Sequence, residues 1–401
     1  MAWVVMLLIG FVQDESALGD RALREGRYAE AAEHYERAAA RGGASAGLWR
    51  RLGLAYSRLE QWAKAAAAYR SCLALEGESG ADLWRAFAQA SSRAGALEDA
   101  LEAWAKAESL DPGGRDALFR ARALVERERW TLAEHETARF LRVHPRDPEA
   151  RELWAYVLER TARKAEAAEV YRELLREDPF DANRRLRLAG ALAAQERADE
   201  AIDVLEAGRR LASSGPAAER LLADLYLERR MYREAAACYA RLVAGGKERA
   251  AEDFHRLGHA YYQTGEFLSA KEAFERARAI DPAHAGAALF LGHAAAARGE
   301  VEEARRAYEA AARANPRDAR PCRALGDLEL RQGRPAEAAA AYAQAVARGG
   351  GDAAVHANRV ACLLQAGLRE EALSALKDAV KAHPTDERWR AFFRELARGG
   401  S

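Results

Sequence analysis

One alanine recurs along the chain at almost constant spacing: Ala31, Ala65, Ala100, Ala133, Ala167, Ala201, Ala235, Ala270, Ala304, Ala338 and Ala372. The steps are 33, 34 or 35 residues. A second small-residue track runs twelve positions upstream: Gly19, Gly53, Ala88, Ala121, Ala155, Ala189, Ala223, Gly258, Gly292, Gly326 and finally Val360. A third, mostly aromatic, runs four positions downstream: Tyr35, Tyr69, Trp104, Thr137, Tyr171, Leu205, Tyr239, Phe274, Tyr308, Tyr342 and Leu376. Three tracks in register define a repeat whose units bury their apolar faces only by stacking on their neighbours. At 401 residues the length alone suggests two or three domains, but the period replaces that estimate with a single array of eleven units.

Each unit reads as a helical hairpin. Between Ala251 and His284, Phe254, Leu257, Gly258 and Tyr261 recur at i, i+3, i+4 and i+7, one face of a helix. Gly265 interrupts at a position suited to a left-handed turn. A second periodic stretch carries Phe267, Ala270, Ala273, Phe274 and Ala277, and Pro282 ends it because proline cannot continue a helix. The small residues at the Gly258 and Ala270 positions predict close helix contact, with the aromatics filling space between one hairpin and the next. Alternating β-branched runs are absent, and alanine and arginine, both strong helix formers, dominate the composition.

Several function classes fall away. Mean hydropathy is −0.40, and no apolar run approaches the ~18 residues of a membrane-spanning helix. The 62 basic and 62 acidic side chains balance, leaving no general attraction to nucleic acid. Four cysteines are too few for a disulfide scaffold. No phosphate loop, nucleophile elbow or CxxC pair occurs, so neither a catalytic residue nor a cofactor is expected. His255 and His259 share a helix face, and His293 repeats the His259 position one unit later. Convergence of the three would offer a metal site, but no carboxylate or cysteine is placed to complete it, and the reading is of groove-lining neutral histidines.

The pattern resembles the tetratricopeptide repeat family, a 34-residue helix-turn-helix with W-x2-L-G-x2-Y followed by alanine, an aromatic, alanine and proline. Trp49, Leu52, Gly53 and Tyr56 followed by Ala65 and Tyr69 carry it, as do Phe254, Leu257, Gly258 and Tyr261 followed by Ala270, Phe274, Ala277 and Pro282. The resemblance implies an all-α, right-handed superhelical solenoid of about eleven hairpins, continuous over residues 13–384. Residues 385–401 supply a capping helix, carrying Trp389, Phe392, Phe393 and Leu396, and a frayed tail. The fourth and sixth units, with Thr137 and Leu205 at the aromatic position, read as looser stacking or a change of superhelix pitch, not as domain boundaries.

In this family the first helix of each hairpin lines the binding groove at its fifth, ninth and twelfth positions. The matching residues are Arg50, Leu54, Arg85, Gln89, Arg220, Asp224, His255, His259, Tyr262, His293, Arg323 and Asp327. The resemblance thus implies a non-enzymatic scaffold for an extended peptide or a protein surface, for instance in a bacterial envelope complex. The alternative is a regulatory or targeting subunit of an enzyme on another chain. The lysine–asparagine clamp that captures chaperone C-termini is missing, since its positions hold Ser16, Asp20, Arg51, Arg85 and Ala86. Trp3 to Val12 is an apolar decamer matching the core of a signal peptide. Residues 1–12 are therefore read as an export signal placing the protein in the periplasm or envelope; the alternative is a hydrophobic cap on a cytoplasmic protein.

Overall fold

The computed structural model describes residues 14–76, 79–211, 215–245 and 250–398, so Trp3 to Val12 lies outside the described residues. Those residues form 23 α-helices and no strand. Eleven hairpins run α1 (Glu15–Arg24) with α2 (Tyr28–Ala40), α3 (Ala46–Arg58) with α4 (Trp62–Leu75), α5 (Ala81–Ala94) with α6 (Leu97–Leu110), and α7 (Asp116–Glu126) with α8 (Trp130–Val143). They continue with α9 (Pro148–Arg160) and α10 (Lys164–Glu177), α11 (Ala182–Ala193) and α12 (Ala198–Arg210), and α13 (Pro216–Glu228) and α14 (Tyr232–Gly245). The series closes with α15 (Ala251–Gln263) and α16 (Phe267–Ile280), α17 (Ala285–Ala297) and α18 (Val301–Ala314), α19 (Arg320–Arg331) and α20 (Pro335–Ala347), α21 (Ala353–Gln365) and α22 (Arg369–Ala382), and the single helix α23 (Glu387–Arg398). No helix among the described residues is long and apolar enough to cross a membrane.

The chain divides into two compact units, one ending at Gln195 and the other starting at Glu196. Within each, consecutive helices pack pairwise and every hairpin stacks on the next.

All eleven alanines of the repeat track are fully buried. Opposite them the glycines face the aromatic ring of their own hairpin. A Cβ on Gly258 would lie 2.7 Å from Phe274 Cε1, and the same clash recurs at Gly19 with Tyr35, Gly53 with Tyr69, Gly292 with Tyr308 and Gly326 with Tyr342. The aromatic therefore locks the two helices of one hairpin together, where the sequence placed it between hairpins. Only its polar tip reaches outward: the Tyr35 hydroxyl donates to Asp20 at 2.7 Å, and Asp20 in turn binds Arg51 of the next hairpin at 3.1 Å. In the eleventh hairpin Val360 and Leu376 are both buried in one core cluster, so two aliphatics replace the small–aromatic pair.

The fourth hairpin compensates for its missing ring with polar contacts. Thr137 is buried and its hydroxyl donates to the Ala133 carbonyl at 2.6 Å. Beside it the buried Arg120 guanidinium binds Glu108 at 2.5 Å and Glu136 at 2.9 Å. At the C-terminus α23 caps the last hairpin through Trp389, Phe393 and Leu396. Phe392, expected on the same face, is instead exposed and overhangs Ala353 and Ala357.

Every intra-hairpin turn contains one residue in the left-handed region. Six are glycine, including Gly265 at φ 82°, and five are not: Glu60, Glu128, Ala162, Glu196 and Arg230, with φ between 55° and 62°. A side chain in that region is strained by roughly 1–2 kcal/mol, partly offset because glycine leaves the unfolded chain freer by about 0.4–1 kcal/mol. Ala162 is exposed and has no side-chain contact to lose. Ala162→Gly is therefore expected to stabilise the N-terminal unit by about 0.5–1 kcal/mol in chemical denaturation. A lowered midpoint would show that the turn is not strained.

Candidate peptide-binding face

The first helices of successive hairpins touch one another, α1 with α3 and α7 with α9 in the N-terminal unit, α15 with α17 and α17 with α19 in the C-terminal unit. Within each unit they therefore share a face, and those two faces carry the residues expected to bind a partner. Arg50, Leu54 and Gln89 are exposed on the N-terminal one.

Most of the charged candidates are already engaged with the neighbouring hairpin. Arg85 on α5 binds the fully buried carboxylate of Asp116 on α7 at 2.9 Å and Asp111 at 2.7 Å, and these hydrogen bonds raise its pKa further above the ordinary guanidinium value. Arg220 grips the buried Asp253 with two parallel bonds, 2.8 and 2.7 Å, the fork geometry that arginine offers a carboxylate. Arg323 binds Asp352 at 2.9 Å, and Asp352 also caps α21 by accepting from the Val355 N–H at 2.8 Å. Asp224 accepts from the Tyr239 hydroxyl and Arg256, and Asp327 accepts from the Tyr342 hydroxyl at 2.5 Å. The three arginines tie each hairpin to the next, and Asp116, Asp253 and Asp352 lie 29 to 33 residues ahead of them.

The aromatic candidates gather differently. His255, His259, Tyr262 and His293 surround Phe290, with ring centroids 5.7, 5.3, 6.1 and 5.6 Å from it. The three histidines thus enclose a phenyl ring where a metal would have to sit. Among the described residues no group of three or more His, Cys, Asp or Glu is placed to hold a metal ion. Burial pushes the His255 pKa down to about 4 and lowers those of His259 and His293. At neutral pH these imidazoles are uncharged aromatic surface with hydrogen-bonding edges.

Phe290, Tyr308 and Arg331 belong to this surface and were missed in the sequence. Phe290 falls one repeat after Arg256, outside the three positions read as lining. Tyr308 reads as a core aromatic, yet its hydroxyl pairs with His293 Nδ1 at 2.9 Å. Tyr262, His293, Tyr308, Asp327 and Arg331 surround a pocket of about 180 Å³ floored by alanines.

A tandem array of helical hairpins with a half-buried aromatic face defines a class, the helical-repeat proteins that serve as protein-interaction scaffolds. A family model described as tetratricopeptide repeat matches residues 16–75 and 118–182, and one described as the C-terminal domain of cilia and flagella-associated protein 70 matches residues 206–398. The chain belongs to the tetratricopeptide repeat family. Similar solved structures include YrrB, described as a TPR protein with an unusual peptide-binding site, at 20% identity and TM-score 0.41 over 45% of this chain and 93% of that one. A TPR protein from Parabacteroides merdae aligns at 18% identity and TM-score 0.44 over 62% of this chain and 98% of that one. The Cut9–Hcn1 hetero-tetramer of the APC/C aligns at 14% identity and TM-score 0.38 over 98% of each chain. No curated protein matches the chain.

Proposed function

We propose that this protein is a non-catalytic scaffold that binds an extended peptide or a protein surface along its first helices, chiefly through the aromatic–histidine strip of α15 and α17. The observation that carries this reading is the strip itself. Tyr262, Phe290 and His293 stay half-buried on a shared face although hairpin packing is already completed by Phe274, Tyr308 and the alanines. Because Arg85, Arg220 and Arg323 are engaged with Asp116, Asp253 and Asp352, recognition rests on aromatic contact and hydrogen bonding more than on arginine–carboxylate pairing. The envelope setting rests on the apolar run of residues 3–12 alone.

Capture from the native cells with the full chain as bait tests this. A partner recovered in stoichiometric amount is expected to fall about tenfold with His259→Glu, which sets a charge beside Phe290, and less with His259→Ala. The thermal midpoint reports folding in parallel. Unchanged recovery with both variants would remove the strip from the binding surface.

A further inference from the structure

We infer that the pocket between α17 and α19 holds one aromatic side chain bearing a hydrogen-bond donor, a tryptophan or tyrosine of the bound partner. The inference rests on the scaffold reading and names what one part of that face accepts. Its volume, about 180 Å³, falls below the ~300–1,000 Å³ of cofactor and small-molecule sites and suits a single side chain.

The walls set the shape of the guest. His293 stands 5.3 Å from the Tyr308 ring at 67° and 6.3 Å from Tyr262 at 46°, an inclined arrangement that a further ring continues. Ala296, Ala297 and Ala324 leave the space open, where larger side chains would close it.

The polar atoms set its chemistry. Tyr308 occupies Nδ1 of His293, and among the described residues Nε2 has no partner. Tyr342 occupies Oδ1 of Asp327, and the second oxygen has none. Arg331 is exposed and has no carboxylate within ion-pair distance among the described residues. An indole N–H or phenol O–H donates to the open Asp327 oxygen, while Arg331 donates to a backbone carbonyl of the guest. An aliphatic side chain leaves the open Asp327 oxygen unanswered. A carboxylate meets Asp327, and a lysine or arginine meets Arg331, so neither charge sign is favoured.

The experiment is ligand-observed NMR on the full chain with the amides of N-acetyl-tryptophan, N-acetyl-tyrosine, N-acetyl-phenylalanine and N-acetyl-leucine. The tryptophan and tyrosine amides should bind about tenfold more tightly than the leucine amide, with the phenylalanine amide between. Ala324→Phe, which fills the pocket, should weaken the tryptophan amide about tenfold, with the thermal midpoint reporting that the variant is folded. Ala297→Phe, at the exposed rim, provides the same test should the first variant not fold. Equal binding of the tryptophan and leucine amides, or of the tryptophan amide to wild type and a folded filled variant, overturns the inference. A phenylalanine amide as tight as the tryptophan amide overturns the donor requirement. Partner capture lost with His259→Glu, alongside probes that do not discriminate, would remove the pocket and leave the scaffold reading standing.

Discussion

Ala270→Glu is expected to unfold the eighth hairpin within the C-terminal unit. Ala270 is fully buried at the contact between α15 and α16, among Phe274, Ala277 and Leu291. A glutamate there sets a charge in an apolar contact. The helix cannot rotate the side chain to solvent without withdrawing Phe274 from Gly258. The expected loss exceeds about 4 kcal/mol, the range reserved for buried unpaired charge. Because each hairpin contacts only its neighbours, the loss should spread to the seventh and ninth hairpins before the rest. Hydrogen exchange of α13 to α18 checks it: faster exchange confined to these helices is the expected pattern, and native protection there would refute it.

Arg85→Met should weaken the junction of the third and fourth hairpins by about 3 kcal/mol. The change removes the partner of Asp116, whose carboxylate has no exposure to water. Breaking a buried pair from one side typically costs about 3–5 kcal/mol, because the remaining charge is left dry. The low end applies here, since Asp116 sits in the first turn of α7, where backbone N–H groups and the helix dipole favour an anion. Adding Asp116→Ala to Arg85→Met should therefore recover part of the loss, a coupling that a double-mutant cycle in chemical denaturation measures directly. Additive single losses would mean that the two side chains act independently.

The hairpins were legible because their causes are local. Helix periodicity, the proline stops and the small residues at Gly258 and Ala270 all lie within one repeat. Gly265 marked a left-handed turn, which the structure shows. The five turns without glycine carry the same backbone, imposed by the hairpins that flank them. The proposed binding face was only partly legible. His255, His259, Tyr262 and His293 do come together, but around Phe290, whose repeat position gave no reason to include it.

The charged candidates show where a single sequence stops. Arg85, Arg220 and Arg323 stand at groove positions, and nothing in their own hairpins distinguishes a waiting guanidinium from an occupied one. Their partners Asp116, Asp253 and Asp352 open the next hairpin, about one repeat ahead. By itself, then, the sequence determined the repeating hairpin and the face its first helices share, because both follow from spacing along one short segment. The tertiary structure alone decided which polar groups on that face are spent on the stack and which stay open, because a hydrogen bond between hairpins depends on distances that only their stacking sets.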